Sequence, residues 1–407
     1  MTGARDPGVH GTDRSAVTVR AYFLNSGILG HASVARLLER TMEGEGDITA
    51  VHLSLSDGLT TRERIVRRLM CWGSNSATSG LNAITLARWR REMHVGILAA
   101  RRLRAAERAH GHADVLHFHT QATAFASVNR MRRTPSIVSI DITQGLASAE
   151  VPDGPMRWQY AACAARDRAV FRAARGIVVT SRWAADDLVR GLPECTDRVH
   201  VMPYPVPLDG FDERWIEERA VRAARSEPVR VMFMGGDFPR KGGWDLLNAW
   251  RAADLGARAE LHLVTDWPLD RGALPEHTTI HTGVRAYTAD WFGRWRDTDL
   301  FVLPTTGEAF GMVFQEAAAA GVPCIGTNLN AVPELVESGE TGILIPVRAP
   351  HALAAALQQL VSDAEVRRRM GAAARRRIAR SGAPSLYGTQ LLQLIRHVTT
   401  SAQSQPA

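Results

Sequence analysis

Lysine is almost absent from this sequence of 407 residues: of its 49 basic residues, 48 are arginine and one, Lys241, is lysine. Cysteine is scarce too, and the four cysteines lie too far apart to predict a disulfide framework or a metal site, as is typical of a reducing compartment. No stretch approaches the ~18 uninterrupted apolar residues of a membrane span. Residues 1–16 are polar and lack the apolar segment of a secretory signal, so we expect a cytoplasmic protein.

The bulk composition is that of a folded globular chain. With 45% hydrophobic and 22% charged residues, it excludes a disordered, collagen-like or coiled-coil protein. The net charge of +7 is unevenly spread, because residues 1–205 carry 27 Arg against 19 acidic residues (+8) and residues 206–407 carry 22 basic against 23 acidic (−1). No zinc-finger spacing, basic zipper or aromatic RNA-binding signature accompanies this excess, so no nucleic-acid partner is expected.

Short apolar runs alternate with helical patterns along the chain, which predicts an α/β protein built from doubly wound parallel sheets. The first set of predicted strands is Val17–Leu24, Ile48–Leu53, Val115–Phe118, Ser136–Ile140, Gly176–Thr180 and Val199–Met202. The second set is Val229–Met234, Glu260–Val264, Leu300–Leu303, Cys324–Gly326 and Gly342–Pro346.

The break between the two strand sets predicts two domains that face each other across a cleft. We expect an N-terminal domain at residues 15–205, a linker at 206–228 and a C-terminal domain at 229–383. A C-terminal helix at 384–398 is placed to pack back on the N-terminal domain, and a polar tail at 399–407 is expected to be disordered.

A phosphate site is predicted in the segment 301–327. A buried strand leads into a loop that carries Glu308, and a helix starts near Gly311, so the first backbone N–H groups at Gly311, Met312 and Val313 and the positive end of the helix dipole favour an anion. Glu316 follows Glu308 by eight residues. Because carboxylates accept hydrogen bonds from sugar hydroxyls, the pair indicates a ligand with sugars on both sides of a phosphate, a nucleotide sugar.

A second loop, in the segment 231–247, places Arg240 and Lys241 after a strand that ends in Gly235 and Gly236. Two adjacent cations on a glycine-flanked loop suit a diphosphate. The loop matches neither the Walker spacing nor G-x-G-x-x-G, so an ordinary solvated turn remains the alternative.

Together these segments resemble the retaining glycosyltransferases of the GT-B fold, family four or "group 1". The resemblance rests on Glu308 and Glu316, which seven residues separate, on Ala-Gly-Val-Pro at 320–323 and on residues 331–342. It is strong over 229–380 and looser over 17–205. It implies two Rossmann-like domains, a nucleotide-diphosphate sugar as co-substrate, and neither a cofactor nor a metal.

The resemblance also implies roles for individual residues of the C-terminal domain. Glu316 binds the ribose hydroxyls, Glu308 contacts the transferred sugar, and the amides at 311–313 hold the sugar and diphosphate. The family's Gly-Arg-x₄-Lys-Gly loop keeps its lysine as Lys241, but Gly236 stands where the arginine is expected. Arg240 is the candidate substitute.

In the N-terminal domain the resemblance is carried by two segments. Gly27 and Gly30, in residues 25–31, resemble the family's glycine-rich loop, although a plain βα turn explains them equally well. Asp-Val-Leu-His-Phe-His at 114–119 resembles the family strand whose last histidine, here His119, lies near the transferred sugar. His117 is expected on the opposite face of the strand and is interpreted as structural. Asp141 stands where many relatives carry His, which implies contact with the acceptor hydroxyl or a sugar.

The resemblance implies hexosyl transfer to an acceptor hydroxyl with retention. The leaving phosphate helps deprotonate the acceptor, and Lys241, Arg240 and the helix N-terminus stabilise the diphosphate. The acceptor stays open among a lipid-linked sugar, a polysaccharide and a natural product. A nucleotide-sugar epimerase of the same fold and a non-catalytic nucleotide-sugar-binding protein are the alternatives, and an NAD-dependent oxidoreductase is disfavoured because neither domain opens on G-x-G-x-x-G.

Arginines cluster at 62–68 and again at 88–108, with apolar residues between them at helical spacing. Two interpretations fit this pattern. One is a basic amphipathic face that rests on the anionic inner surface of a membrane, and the other is an ordinary solvated surface helix.

Overall fold

The computed structural model describes residues 18–27, 30–42, 46–71, 86–150 and 155–403. Its N-terminal half contains a six-stranded parallel sheet of order β2-β1-β3-β4-β5-β6. The strands are β1 (Val19–Asn25), β2 (Ile48–Ser54), β3 (Val115–His119), β4 (Ser136–Ile140), β5 (Gly176–Val179) and β6 (Val199–Val201). Helices connect them: α1 (Gly30–Met42), α2 (Thr61–Met70), α3 (Ala87–His110), α4 (Gln121–Ala124), α5 (Val128–Met131), α6 (Gln144–Ala149), α7 (Pro155–Ala173) and α8 (Arg182–Gly191).

The C-terminal half contains a second parallel sheet, of order β12-β11-β10-β7-β8-β9. Its strands are β7 (Val229–Met234), β8 (Ala259–Val264), β9 (Thr278–His281), β10 (Leu300–Leu303), β11 (Cys324–Thr327) and β12 (Gly342–Ile345). The helices here are α9 (Arg214–Ala224), α10 (Gly243–Ala253), α11 (Ala289–Asp297), α12 (Met312–Ala319), α13 (Val332–Leu335), α14 (Pro350–Ser362) and α15 (Ala364–Ser381). The two doubly wound α/β sheets confirm the predicted fold class.

The strands form because their side chains are apolar on both faces, and helices cover both faces of each sheet. In β1, Tyr22, Phe23 and Leu24 are fully buried, and the same holds for every residue of β10. Burying a large apolar side chain contributes about 1.5–3 kcal/mol, so these short runs are strongly held in the sheet.

A third apolar cluster joins the two halves. Phe310, which precedes α12, and Ala331, which precedes α13, pack with Phe23 and Tyr204 of the N-terminal half. The last helix, α16 (Pro384–Gln403), contributes Leu391 and its neighbours to the same cluster. The chain thus returns to the N-terminal half after α15.

The chain crosses between the halves at two places that lie together. The first crossing follows β6 and the second links α15 to α16, and the Val206 N–H donates to the Gly382 carbonyl at 3.0 Å. Arg396 of α16 then forms a two-bond ion pair with Asp47, just before β2 (2.8 and 2.9 Å). Helix α16 is therefore both packed on the N-terminal half and ion-paired with it.

Residues 206–228 pack on the C-terminal half. Val206 and Phe211 belong to its apolar core. In α9 the buried Arg219 guanidinium donates to the carbonyls of Thr298 (2.6 Å) and Ala320 (2.8 Å). The segment predicted as a linker therefore docks on one domain over much of its length.

Two features differ from the sequence-based expectation. β9 was not predicted, because Thr278–His281 contains one aliphatic residue and lies at the sheet edge, where polar residues are tolerated. α16 continues to Gln403, beyond residue 399 where the disordered tail was expected. Val398 and Thr399 are buried, so packing of the apolar face stabilises the helix beyond the predicted end.

The arginine clusters lie on two helices with different surroundings. Most apolar residues of α3, including Leu98 and Leu103, pack in the core of the N-terminal half, whereas Ile97 is 37% exposed. On α2 no residue is buried, and Ile65 and Leu69 are 56% and 66% exposed beside four arginines. No helix in the described part of the chain has the length and hydropathy to span a bilayer.

Candidate functional site

Two loops of the C-terminal domain meet at the carboxyl edge of its sheet. Residues 235–242 follow β7 and residues 304–311 follow β10, and these strands are parallel neighbours. The loops are joined by hydrogen bonds, because the Thr306 N–H donates to the Arg240 carbonyl (2.8 Å) and the Arg240 guanidinium donates to the Gly307 carbonyl (2.6 Å). The sheet topology therefore brings the two predicted segments together.

Lys241 is positioned by a tight turn that ends in glycine. Gly242 has φ of +75°, and a Cβ at this position would lie 1.9 Å from the carbonyl oxygen of Pro304. Only glycine permits this approach. The Lys241 ammonium then contacts the Glu308 carboxylate of the second loop, with side chains only 16% and 10% exposed. A cation and an anion from separate loops are thus held at one point.

The first turn of α12 lies beside this ion pair. Gly311 caps the helix with φ of +97°, and a Cβ here would lie 3.2 Å from Cγ of Glu308. Met312 and Val313 open the helix, and their side chains pack against separate apolar clusters. The positive end of the helix dipole is therefore next to Lys241 and Glu308.

Glu316 lies in the second turn of α12 and is buried. The hydroxyl of Tyr287, in the loop before α11, donates to Oε1 of Glu316 at 3.1 Å. Burial raises the pKa of Glu316 to about 7, and the Tyr287 hydrogen bond acts in the opposite direction. The loop 283–287 is a candidate wall of the base and sugar pocket from sequence, but no local pattern indicates this contact, because the two residues are 29 positions apart.

Arg240, Gly235 and Gly236 complete the first loop. Arg240 pairs with Asp237 at 2.9 Å, so its charge is shared with a carboxylate of its own loop. A Cβ on Gly235 would lie 3.0 Å from Cγ of Lys241, whereas a Cβ on Gly236 would meet nothing within 4 Å. The backbone at position 236 therefore has space for a Cβ.

The predicted residues of the N-terminal domain lie at the carboxyl ends of β1, β3 and β4. Gly27 has φ of +69°, and a Cβ there would lie 2.2 Å from Oγ of Ser56. Gly30 is the first residue of α1, and residues 28–29 between them lie outside the described part. His119 ends β3, and Asp141 follows β4 directly. Because β1, β3 and β4 are adjacent and parallel, these residues share one edge.

An aromatic chain leads from His119 to the C-terminal domain. Nε2 of the buried His119 is 3.2 Å from the hydroxyl of Tyr204. The Tyr204 ring contacts Phe310 edge to face, with centroids 5.7 Å apart. Burial, with a contribution from Asp141, raises the pKa of Tyr204. Sequence reasoning missed Tyr204, which has no motif around it.

His117 is a buried neighbour of His119 with a different environment. Its Nε2 lies 2.7 Å from Oγ of Ser139, and its ring is 6.4 Å from that of His119, because residues two apart share a face of the strand. Burial lowers the pKa of His117 to about 3, which keeps it neutral. A neutral, hydrogen-bonded core histidine agrees with the structural interpretation, but the expected opposite face is wrong, because His117 and His119 lie on the same face of β3.

A side-chain hydrogen bond between Asn330 and Glu150 spans the cleft. Asn330 donates to Oε1 of Glu150 at 2.5 Å and to the backbone carbonyl of Glu308 at 3.1 Å. Partial burial in the cleft raises the pKa of Glu150. The contact connects the end of α6 with the loop that carries Glu308. Its partners are 180 residues apart, and no local pattern indicates it.

The cleft edge of the C-terminal domain thus combines cationic and anionic groups. Two cations and a helix N-terminus favour a phosphate, while two carboxylates accept hydroxyl hydrogen bonds. Within the described ranges, no three His, Cys, Asp or Glu side chains are grouped to hold a metal ion. All four cysteines are free, and three of them are buried.

Two family models match the chain. The model described as "Glycosyl transferases group 1" matches residues 228–363. The model described as "Glycosyl transferase 4-like domain" matches residues 29–205. The first match spans all six strands of the C-terminal sheet, and the second spans β2–β6 of the N-terminal sheet but not β1.

Curated relatives match over part of their length. A D-inositol 3-phosphate glycosyltransferase of Corynebacterium glutamicum is 42% identical over 214 residues, which are 48% of this chain and 51% of that protein. A protein of the same name from Paenarthrobacter aurescens is 27% identical over 65% of this chain and 68% of that protein. An N-acetyl-alpha-D-glucosaminyl L-malate synthase of Bacillus anthracis is 42% identical over 37% of this chain and 41% of that protein.

Solved structures match the chain almost from end to end. A sucrose-phosphate synthase from Thermosynechococcus elongatus has a TM-score of 0.71 and 16% identity, covering 94% of this chain and all of that one. Anabaena HepE in complex with UDP-glucose has a TM-score of 0.64 and 15% identity, covering 93% and 99%. At these identities the likeness establishes the GT-B fold. With one family model on each domain, the chain belongs to the group 1 glycosyltransferases.

Proposed function

We propose that this protein transfers a sugar from a nucleoside-diphosphate sugar to an acceptor hydroxyl, with retention of the anomeric configuration and without a metal. The observation that carries the proposal is the meeting of Lys241, Glu308 and the N-terminus of α12 at one point of the cleft. That point has the charges that a sugar diphosphate requires, a cation and a helix dipole for the phosphates and a carboxylate for the sugar.

In this reaction the bond between the anomeric carbon and the β-phosphate oxygen breaks, and negative charge develops on the leaving diphosphate. Lys241, Arg240 and the first N–H groups of α12 stabilise that charge, which lowers the barrier because they are already oriented. The acceptor oxygen forms its bond from the same face, and its proton passes to the leaving phosphate oxygen. Glu308 holds the sugar during the transfer.

The acceptor is expected on the side of His119, Asp141 and Glu150, because the diphosphate groups lie on the C-terminal domain. Two relatives carry anionic acceptors in their names, D-inositol 3-phosphate and L-malate. An anionic acceptor also agrees with the charge of residues 1–205, which carry 27 Arg against 19 acidic residues. We therefore propose a small anionic alcohol as the first acceptor to test.

The function is tested in two steps. A thermal-shift panel of UDP-, GDP-, ADP- and TDP-sugars, begun with UDP-glucose, identifies the donor, since a ligand that binds the folded state raises its melting temperature. Transfer to D-inositol 3-phosphate and L-malate is then measured, and the anomeric configuration of the product is read by proton NMR. A retained glycoside is the expected product.

Three other outcomes would contradict the proposed function. An epimerised donor formed without any acceptor identifies a nucleotide-sugar epimerase, and an inverted glycoside removes the retaining mechanism. Donor binding with neither transfer nor hydrolysis identifies a binding protein.

A second proposal concerns α2, whose exposed surface fits an anionic lipid membrane. Ile65, Val66 and Leu69 are exposed on this helix. Arg62, Arg64, Arg67 and Arg68 lie on the same helix, and the Glu63 carboxylate accepts a hydrogen bond from the N–H of the N-cap residue Thr60. Apolar side chains inserted at the headgroup level and arginines beside anionic lipid are the pattern of an interfacial helix. We propose that α2 rests on the membrane surface.

Replacing Ile65 and Leu69 together by serine is expected to abolish co-sedimentation with phosphatidylcholine vesicles that contain phosphatidylglycerol. Each side chain contributes about 1.5–3 kcal/mol of apolar burial, so the loss is large. Val221→Ser is the matched control, because Val221 is 52% exposed on α9 of the other domain. Wild-type protein that stays in the supernatant at low salt would disprove the membrane contact.

A further inference from the structure

Tyr287 is the one described residue whose side chain donates a hydrogen bond to the Glu316 carboxylate. The donation is 3.1 Å long and made to Oε1. Glu316 is buried in α12, whereas Tyr287 lies half-buried in the loop before α11. The contact therefore fixes one oxygen of the carboxylate from outside its own helix.

The backbone at Tyr287 is held in a conformation that aromatic residues rarely adopt. Its φ is +64°, in the left-handed region. The ring packs against Trp291 with centroids 4.8 Å apart, and against Phe292 at 6.4 Å. Packing on α11 thus maintains a strained residue in the place where its hydroxyl reaches Glu316. Strained residues that the surrounding structure holds in place are concentrated at functional sites.

A ribose presents two neighbouring hydroxyls, and a carboxylate binds both well only when it is ionised and correctly oriented. Removing the 2′-hydroxyl leaves one of these hydrogen bonds unmade. A carboxylate fixed in orientation distinguishes the two sugars better than one that rotates freely, because a mobile group adapts to the single remaining hydroxyl.

We propose that Tyr287 is the positioning residue that holds Glu316 for the ribose hydroxyls, and that it makes the cleft selective for ribonucleoside over 2′-deoxyribonucleoside diphosphates. This inference rests on the proposed function, in which Glu316 binds the ribose. Tyr287 lies outside the motif formed by Glu308 and Glu316, and the proposed selectivity depends on Tyr287 as well as on that motif.

The ionisation of Glu316 provides a readout that a purely structural role would not change. Its pKa is raised to about 7 by burial and is lowered by the Tyr287 hydrogen bond. Among the described residues, Arg36 of α1 also acts on this pair electrostatically and lowers the pKa of Tyr287, against the larger effect of burial. Loss of the hydroxyl raises the pKa of Glu316 further, so binding that needs the carboxylate shifts to higher pH.

The test compares wild type, Tyr287→Phe and Tyr22→Phe by calorimetry with UDP and dUDP, ADP and dADP, and GDP and dGDP. Tyr22 is the matched control, because its hydroxyl donates to the Gly111 carbonyl in the N-terminal domain. At neutral pH, Tyr287→Phe is expected to weaken the preferred ribonucleotide about tenfold and the deoxynucleotide much less, as for the loss of a hydrogen bond to a charged group. The loss should be largest near about pH 6 and smallest near about pH 9.

Glu316→Gln completes a double-mutant cycle, in which Tyr287→Phe is expected to have no further effect. Equal losses for both nucleotides without pH dependence would show a purely structural role and overturn the inference, as would wild-type affinity in Tyr287→Phe. A wild type that binds ribo- and deoxynucleotides equally well also overturns it, but leaves the proposed function intact. A wild type that binds no nucleotide removes both.

Discussion

Lys241→Ala is expected to lower kcat for sugar transfer by about 10²–10³-fold, with a smaller change in donor KM, because the ammonium stabilises charge that is greatest in the transition state. Lys241 contacts Glu308 at the point where the loops after β7 and β10 meet. Water compensates poorly for the loss of this cation, because the site is largely buried. Steady-state kinetics with the donor found in the panel measure the effect.

Lys241→Arg and Lys241→Ala/Glu308→Gln are the companion variants. Arginine keeps the charge but not the shape, so partial activity is expected. The single alanine variant leaves the Glu308 carboxylate without its cation, at a cost to stability of about 1–3 kcal/mol, and the double variant relieves that cost without restoring turnover. Turnover of Lys241→Ala within about threefold of wild type would contradict the electrostatic role.

Gly242→Ala is expected to destabilise the C-terminal domain by about 3 kcal/mol. Two effects add: alanine is strained at φ of +75°, and its Cβ would lie 1.9 Å from the Pro304 carbonyl oxygen, a backbone atom that cannot rotate away. The same change displaces Lys241, so donor binding falls as well. Urea unfolding and donor titration measure the two consequences.

Gly236→Ala is the matched control for this prediction. It lies six residues earlier in the same loop, its φ is not in the left-handed region, and its added Cβ meets nothing within 4 Å. A change within about 0.5 kcal/mol is expected there. If the two variants unfold at the same urea concentration, the close contact between Gly242 and Pro304 does not hold the loop.

The strands and the main site segments were predictable because their signals are local. Four-residue apolar runs such as Leu300–Leu303 and the spacing from Glu308 to Glu316 depend only on neighbouring positions. Parallel sheets then bring loops after adjacent strands together, so the approach of Lys241 to the second loop follows from topology alone.

The remaining contacts depend on residues that are distant in sequence. Tyr287 reaches Glu316 and Asn330 reaches Glu150 only after the loops are folded, and neither pair lies in a repeating pattern. Helical periodicity located α3 correctly, but periodicity cannot tell whether an apolar stripe such as that of Leu98 faces a core or a membrane. That question is decided by neighbouring elements.

The paired crossings at Val206 and Gly382 have a mechanical consequence. A single connection would let one domain rotate in any direction about it. Two adjacent connections joined by a hydrogen bond instead restrict rotation to one hinge axis. Relative motion is then reduced largely to opening and closing about one axis. Lys241 and His119, on opposite walls, would thus approach each other along one repeatable path, whichever substrate arrives first.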